Sequence, residues 1–273
     1  MTIVPPGGDD PPKQFSPPEA GYASYPSLRG RTVFVTGGAT GIGAELVAQF
    51  ARQGARVGFV DIQDAAAAGL AGELAAELGT PPWHQACDVG DVPALQAAIT
   101  ACAAELGPVQ VLVNNAASDE RRPVAELTER FWDDSLRVNL RPQFFAAQAV
   151  APGMRAGGGG SIINLGSITW HAGFANVAAY STAKAGIEGL TRSLARDLGR
   201  AGIRVNCLIP GWTMTARQLA DWVTPEAERE IERSQCLAGR VAPADVARLA
   251  LWLAADDSRR CTSQTWVVDG GWI

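Results

Sequence analysis

Short apolar runs alternate along this chain with longer stretches that are apolar on one side only. The short runs are residues 31–36 (RTVFVT), 56–61 (RVGFVD), 83–87 (WHQAC), 109–114 (VQVLVN), 161–165 (SIINL), 204–207 (RVNC) and 265–268 (TWVV). Their length and β-branched content predict strands. Residues 41–53 carry Ile42, Leu46, Val47 and Phe50 at helical spacing, so one side of a helix is apolar there. Ala-rich segments near 65–78 and 92–106 predict two more helices. Strands without a polar face, separated by helices, imply a parallel sheet covered by helices on both faces. The predicted class is α/β: one domain with a doubly wound parallel sheet. No internal repeat and no second domain is visible.

The ends of the chain change this picture only at the front. Residues 1–28 hold seven prolines and too little apolar surface for a core. A flexible Pro-rich arm is predicted there, with Phe15, Tyr22 and Tyr25 as its docking points, and 29–273 as the globular domain. No apolar run is long enough for a membrane helix, and the N-terminus lacks the charged start and apolar stretch of a signal peptide. A cytoplasmic protein is expected, with no membrane partner. The formal net charge is −5, which argues against a phosphate-backbone footprint and hence against nucleic acid. Five cysteines without CxxC spacing and only two histidines give a metal site little to work with, and no metal is expected.

The first strand runs into Thr36-Gly37-Gly38-Ala39-Thr40-Gly41-Ile42-Gly43, and a helix follows at once. Glycines permit a tight turn and close backbone approach, and a helix N-terminus offers free N–H groups to a pyrophosphate. This strand–turn–helix context predicts a Rossmann-type dinucleotide site over Gly37, Thr40, Gly41 and Ile42. Asp61 ends the second strand, 18 residues after Gly43. A carboxylate there accepts both ribose hydroxyls and repels the extra phosphate of NADP. Ala39, Thr40, Ile62 and Gln63 bring no positive charge, so NAD is the expected cofactor. Asp88 and Val89 follow the third strand, and Asn115, Ala116 and Ala117 follow the fourth. In open parallel sheets such strand ends border the ligand crevice.

Tyr180 and Lys184 stand four residues apart in a helix-compatible run, so they share a face. A free tyrosine titrates near 10 and is a poor base at neutral pH. A neighbouring ammonium and an oxidised nicotinamide both favour the phenolate, which predicts a lowered Tyr180 pKa.

With these motifs in order, the chain from about residue 28 to its C-terminus resembles the short-chain dehydrogenase/reductase family. TGGATGIG, Asp61, Asn114–Ala117, the Tyr180/Lys184 pair and the late Pro210-Gly211 carry the likeness. The resemblance implies a catalytic set of Asn139 (in RVNL), Ser167, Tyr180 and Lys184. Tyr180 would be the general acid/base, and Ser167 would hold the substrate oxygen. Lys184 would bind the nicotinamide ribose and lower the Tyr180 pKa. Asn139 would hold a water in a proton relay from Lys184. It also implies that Pro210, Gly211, Thr213 and Thr215 grip the carboxamide end of the cofactor. Thr213 replaces the family's usual aliphatic residue, which leaves its local packing open, and Ala117 replaces a more usual glycine.

The segments expected around the substrate are polar and rich in tryptophan: 118–122 (SDERR), 168–171 (ITWH), Trp212, 218–222 (QLADW) and Trp272. Charged groups hydrogen-bond hydroxyls, and an indole covers the C–H face of a sugar ring. A steroid pocket would be more apolar. The same segments resemble the bacterial D-xylose dehydrogenase group within the family. That likeness implies oxidation of an aldose at its anomeric hydroxyl to a lactone, with Asp119, Arg121, Ser167, Trp170, His171, Tyr180 and Trp212 as substrate contacts. The alternative is an NAD-dependent dehydrogenase of another polar secondary alcohol, a polyol or deoxy-keto sugar acid. The resemblance further implies a homo-oligomer, a tetramer, and the Ala183, Ala185 and Ile187 face suits helix packing in it.

Overall fold

The computed structural model describes residues 21–273. Seven strands form one parallel sheet: β1 (Thr32–Thr36), β2 (Arg56–Asp61), β3 (Trp83–Ala86), β4 (Val111–Asn114), β5 (Gly160–Leu165), β6 (Ile203–Pro210) and β7 (Thr265–Val268). Their spatial order is β3-β2-β1-β4-β5-β6-β7. The seven predicted runs are these seven strands, with β6 running on to Pro210. Nine α-helices are present among the described residues: α1 (Gly41–Arg52), α2 (Asp64–Leu78), α3 (Val92–Leu106), α4 (Glu129–Asn139), α5 (Arg141–Ala156), α6 (Ala178–Leu198), α7 (Ala216–Asp221), α8 (Pro225–Ser234) and α9 (Pro243–Ala254).

Both faces of the sheet are buried, as continuous apolar strands require. On one face Val33, Val35 and Phe59 pack with Leu46, Val47 and Phe50 of α1 and Ala247, Ala250 and Leu251 of α9. On the other, Phe34, Leu112 and Ile162 meet Leu95 and Ile99 of α3, Ala146 and Val150 of α5, and Leu194 of α6. Ala183 and Ile187 are fully buried inside the protomer. The expectation that they form a subunit face is therefore corrected, because α6 turns them towards its own sheet.

The flexible-arm expectation for 1–28 also needs correction in part. Residues 1–20 lie outside the described residues. Residues 22–28 belong to the fold. The Tyr22 hydroxyl donates to Glu45 Oε1 at 2.6 Å, and the Arg248 guanidinium lies 4.3 Å from its ring centre. The Tyr25 N–H donates to Gln53 Oε1, and Leu28 is fully buried in the α1/α9 layer. Two aromatics and one leucine hold this segment to the fold, and Pro26–Leu28 forms one 3-10 turn.

The sheet order reverses between β1 and β4, and crossovers leave this point in opposite directions. A crevice therefore opens beyond the carboxyl ends of these strands. Buried amides tie β4, β5 and α6 together: Asn114 Nδ2 donates to Asn164 Oδ1 at 2.9 Å, and Asn164 Nδ2 to Thr191 Oγ1 at 3.0 Å.

Candidate active site

The crevice is a cleft of about 780 Å³. Its cofactor end is built by the turn after β1. Gly37 has φ +67°, and a Cβ on it would sit 2.7 Å from Ala116 Cα. A Cβ on Gly43 would meet the Gly37 carbonyl oxygen at 1.8 Å. Only glycine allows this backbone at both points. Thr36 Oγ1 accepts from the N–H groups of Asn115 and Ala116, and Asn115 Nδ2 donates to Gly37 O at 2.8 Å. The loop after β4 thus straps the glycine turn at the N-terminus of α1. Asp61 is buried, with Oδ2 accepting from Ala39 N and Oδ1 from Gln63 N. It joins the turns after β1 and β2.

The predicted residues of this end all border the cleft. Gly37, Thr40, Gly41, Ile42, Asp61 and Ile62 lie on one side. Asp88, Val89, Asn115, Ala116 and Ala117 line the cleft too, as do Pro210, Gly211, Thr213 and Thr215, and Thr215 lies against Gly41, where a Cβ would meet its Cγ2 at 3.1 Å. A glycine cradle at a helix N-terminus with a carboxylate at the β2 end fits a dinucleotide. Thr213 is buried, yet its hydroxyl donates to Gly211 O at 3.1 Å, so the polar replacement is satisfied locally. Thr215 caps α7 by accepting from Gln218 N.

Ser167, Tyr180 and Lys184 meet in the middle of the cleft. Tyr180 and Lys184 stand one turn apart on α6, and Lys184 Nζ lies 5.5 Å from the Tyr180 ring centre. The Ser167 hydroxyl is close enough to the Tyr180 oxygen to pull its pKa down, and it accepts from Thr169 N at 3.2 Å. Lys184 Nζ is buried and donates to Leu165 O at 2.8 Å. Burial pushes this ammonium down to about 8, against opposing pulls from Cys207 and Asp119.

The chain's own groups do not by themselves lower the Tyr180 pKa. Burial, then the Asp119 charge, push the hydroxyl above its ordinary value. The opposing pulls come from Ser167 and Arg217, not from Lys184. Desolvation of a phenolate outweighs a single hydrogen bond and a more distant cation.

Asn139 does not line the cleft; it is buried at the end of α4. Its Oδ1 accepts from Ser118 N at 2.8 Å, and its Nδ2 donates to Ser118 O at 3.0 Å and Ser135 Oγ at 3.3 Å. Its side chain thus fixes the loop after β4, so a water held by Asn139 would have to be held by the main chain. Its main-chain carbonyl is different. The Gln143 N–H, the ordinary helical partner, bonds Leu140 O instead, and Pro142 has no N–H.

The substrate end holds Asp119, Arg121 and Trp212, as expected, together with Phe174, Arg217 and Gln218. Trp212, Phe174 and Trp272 form an aromatic cluster with ring centres 5.7–6.5 Å apart. Asp119 is held by Arg217 at 2.9 Å and Gln218 at 2.8 Å.

Trp170 and His171 are not brought to the cleft, and both expectations are corrected. Trp170 Nε1 and His171 Nε2 each lie 2.9 Å from Glu188 Oε1. Since a carboxylate only accepts, His171 Nε2 carries the hydrogen. Their ring centres lie 3.7 Å apart at a tilt of 32°, and the Thr265 hydroxyl donates to the other Glu188 oxygen. Glu188, one turn beyond Lys184, draws both side chains to the outside of α6.

Sequence reading missed Arg137, Phe174 and Arg217. Arg137 Nη1 holds Asp88 at 3.0 Å, and its place two residues before Asn139 was the available signal. Phe174 had no signal beyond its apolar type. Arg217 and Gln218 follow Thr215, a recognisable helix cap, so the short helix and its facing residues were in principle legible.

A model of the family described as enoyl-(acyl carrier protein) reductase matches residues 37–273. The chain is 50% identical over 250 residues to D-xylose 1-dehydrogenase of Caulobacter vibrioides, covering 92% of this chain and 98% of that one. It is 48% identical to the "Probable galactose dehydrogenase GalD" of Rhizobium meliloti, covering 91% and 97%. Among solved structures, a 7α-hydroxysteroid dehydrogenase complexed with NADH and 7-oxo glycochenodeoxycholic acid superposes with a TM-score of 0.85 at 32% identity, covering 90% of this chain and 96% of that one. The chain therefore belongs to the short-chain dehydrogenase/reductase family, and it is an oxidoreductase of CH–OH donors that uses a nicotinamide cofactor on a Rossmann fold.

Proposed function

We propose that this protein oxidises the anomeric hydroxyl of an aldose, D-xylose or a related sugar, to a lactone with NAD. The observation that carries the reading is the wall beside Tyr180 and Ser167. It combines Asp119, Arg121 and Gln218 with the Trp212 indole. Such a wall suits a ligand with many hydroxyls and an apolar ring face. The similarity to two sugar dehydrogenases supports the same substrate class. Asp61 supports NAD, because its carboxylate at the end of β2 disfavours a ribose phosphate.

In this mechanism the anomeric hydroxyl sits between Ser167 and Tyr180. Ser167 holds its oxygen and Tyr180 takes its proton, while C1 gives up a hydride and becomes the lactone carbonyl. NAD, when bound, supplies the hydride acceptor. One of the three Lys184 donors is spent on Leu165 O, and the others are free for ribose hydroxyls. Lys184 and the Asn139 carbonyl are the groups through which the Tyr180 proton would leave. Asp119 acts as an anchor for α7, and Arg121 and Trp212 meet the sugar.

Self-association fits a second surface, the groove between α5 and α6. Phe144, Ala147, Ala151, Pro152, Leu194 and Leu198 line it, with Arg155 and Asp197 at its rim. Opposite charges on one patch let it face a second copy of itself, and sedimentation would read a tetramer. Cytoplasmic residence remains part of the same proposal.

The test is initial-rate reduction of NAD and NADP by the purified protein across aldoses, polyols and apolar secondary alcohols. Turnover of aldoses with NAD, with lactone as product and loss of turnover in Tyr180→Phe, is the expected result. Oxidation confined to polyols or apolar alcohols would overturn the substrate assignment.

A further inference from the structure

Arg121 stands in the cleft without an acceptor. Among the described residues its guanidinium forms no hydrogen bond and no ion pair, and its Nε is closed off from solvent. A guanidinium carries five donors and no acceptor, and the closed-off Nε–H has no partner to offset its desolvation. Two indoles hold it in place: its central carbon lies 4.1 Å from the Trp222 ring centre and 5.6 Å from that of Trp212.

A carboxylate is close at hand. Asp119 is two residues away and near enough to act on the Arg121 charge. Both its oxygens are engaged by α7. Arg217 Nη2 reaches Oδ1 at 2.9 Å, and Gln218 Nε2 donates to Oδ2 at 2.8 Å. The Gln218 amide is held in that sense because its Oε1 accepts from Trp212 Nε1 at 2.9 Å.

We propose that α7 is a latch that keeps Asp119 off Arg121, and so leaves Arg121 to hydrogen-bond the hydroxyls of a polyhydroxylated substrate. Arg217 and Gln218 are positioning residues in this scheme, and Arg121 determines specificity. The physical basis is competition. A forked arginine–carboxylate pair is among the strongest protein hydrogen-bond pairs. A neutral hydroxyl cannot displace it, so the carboxylate must be occupied elsewhere before the guanidinium can read a sugar. The identity of the ligand rests on the sugar reading above; the latch itself does not.

The test is a suppressor experiment at saturating NAD. Arg217→Ala/Gln218→Leu should raise the aldose KM by about tenfold or more, the scale of one lost hydrogen bond to a charged group. NAD affinity should stay unchanged. Adding Asp119→Ala to this double variant should bring most of the KM back, because no carboxylate remains to capture Arg121. Arg121→Met should raise KM by itself, and Asp119→Ala in that background should restore nothing. An unchanged KM in the double variant, or no recovery on removing Asp119, would overturn the latch. Should the wild-type protein turn over no aldose, the function reading fails and the latch is read separately from a crystal structure of the double variant. Arg121 paired with Asp119 is then the expected result, and Arg121 still unpaired against Trp222 refutes the proposal.

Discussion

Replacing Lys184 with methionine separates what this residue costs the fold from what it does in the site. The ammonium is 1% exposed, and burial lowers it from 10.5 to about 8. A base whose folded pKa lies below its unfolded one sheds its proton first in the native state. Between pH 8 and 10.5 the unfolded chain then binds more protons, so this group's contribution to stability rises with pH. At pH 7 both states hold the proton and nearly the full desolvation cost stands, about 3 kcal/mol at 1.36 kcal/mol per pKa unit. By pH 10 most of it is gone. Lys184→Met lacks this titration while keeping the length and most of the volume. The stability of wild type relative to the variant should therefore rise by about 2 kcal/mol between pH 7 and 10. The lost bond to Leu165 O adds a constant offset and no slope below the folded pKa. Urea unfolding followed by tryptophan fluorescence at pH 7, 8, 9 and 10 reads the difference directly. Cys207, the other titratable neighbour, is pushed up from 9.0 to about 12 by burial, and this pH dependence is shared by wild type and variant and cancels in their difference. A difference that stays flat within about 0.5 kcal/mol, the scale of an ordinary surface substitution, would refute the desolvated ammonium.

Other expectations test the remaining parts of the site. Asp61→Ala should raise kcat/KM with NADP relative to NAD by about tenfold or more, as removal of one close like charge predicts; an unchanged ratio would remove Asp61 from cofactor selection. Gly37→Ala places a Cβ at 2.7 Å from Ala116 Cα with φ at +67°. A loss of roughly 1–3 kcal/mol in unfolding free energy and weaker NAD binding by titration calorimetry are expected. His171→Ala should leave the aldose KM within about twofold, since the ring faces Glu188 outside the cleft. A large rise in KM with unchanged stability would return His171 to the substrate.

What this sequence determines by itself is the part governed by local rules. Strand runs such as RTVFVT and VQVLVN have nowhere to go but a sheet buried on both faces. The glycines after β1 mark a turn that needs positive φ, and the helix that follows sets a pyrophosphate site beside it. Tyr180 and Lys184 are one helical turn apart whatever surrounds them. The lining of the cofactor end follows from these, because strand ends in an open parallel sheet share one crevice.

Only the tertiary structure decided which long side chains face that crevice and what their surroundings do to their charges. Trp170 and His171 leave the cleft because Glu188, seventeen residues beyond His171, offers them a carboxylate on the other side of α6. Asp119 is taken by Gln218, 99 residues later, which leaves Arg121 unpaired. Tyr180 keeps a raised pKa because its desolvation depends on every residue around it. Tyr22 joins the fold through Glu45 and Arg248, which spacing alone does not pair with it. The physical division is one of range: backbone geometry and periodicity act over a few residues, whereas burial and charge act through space and exist only once the chain has closed on itself.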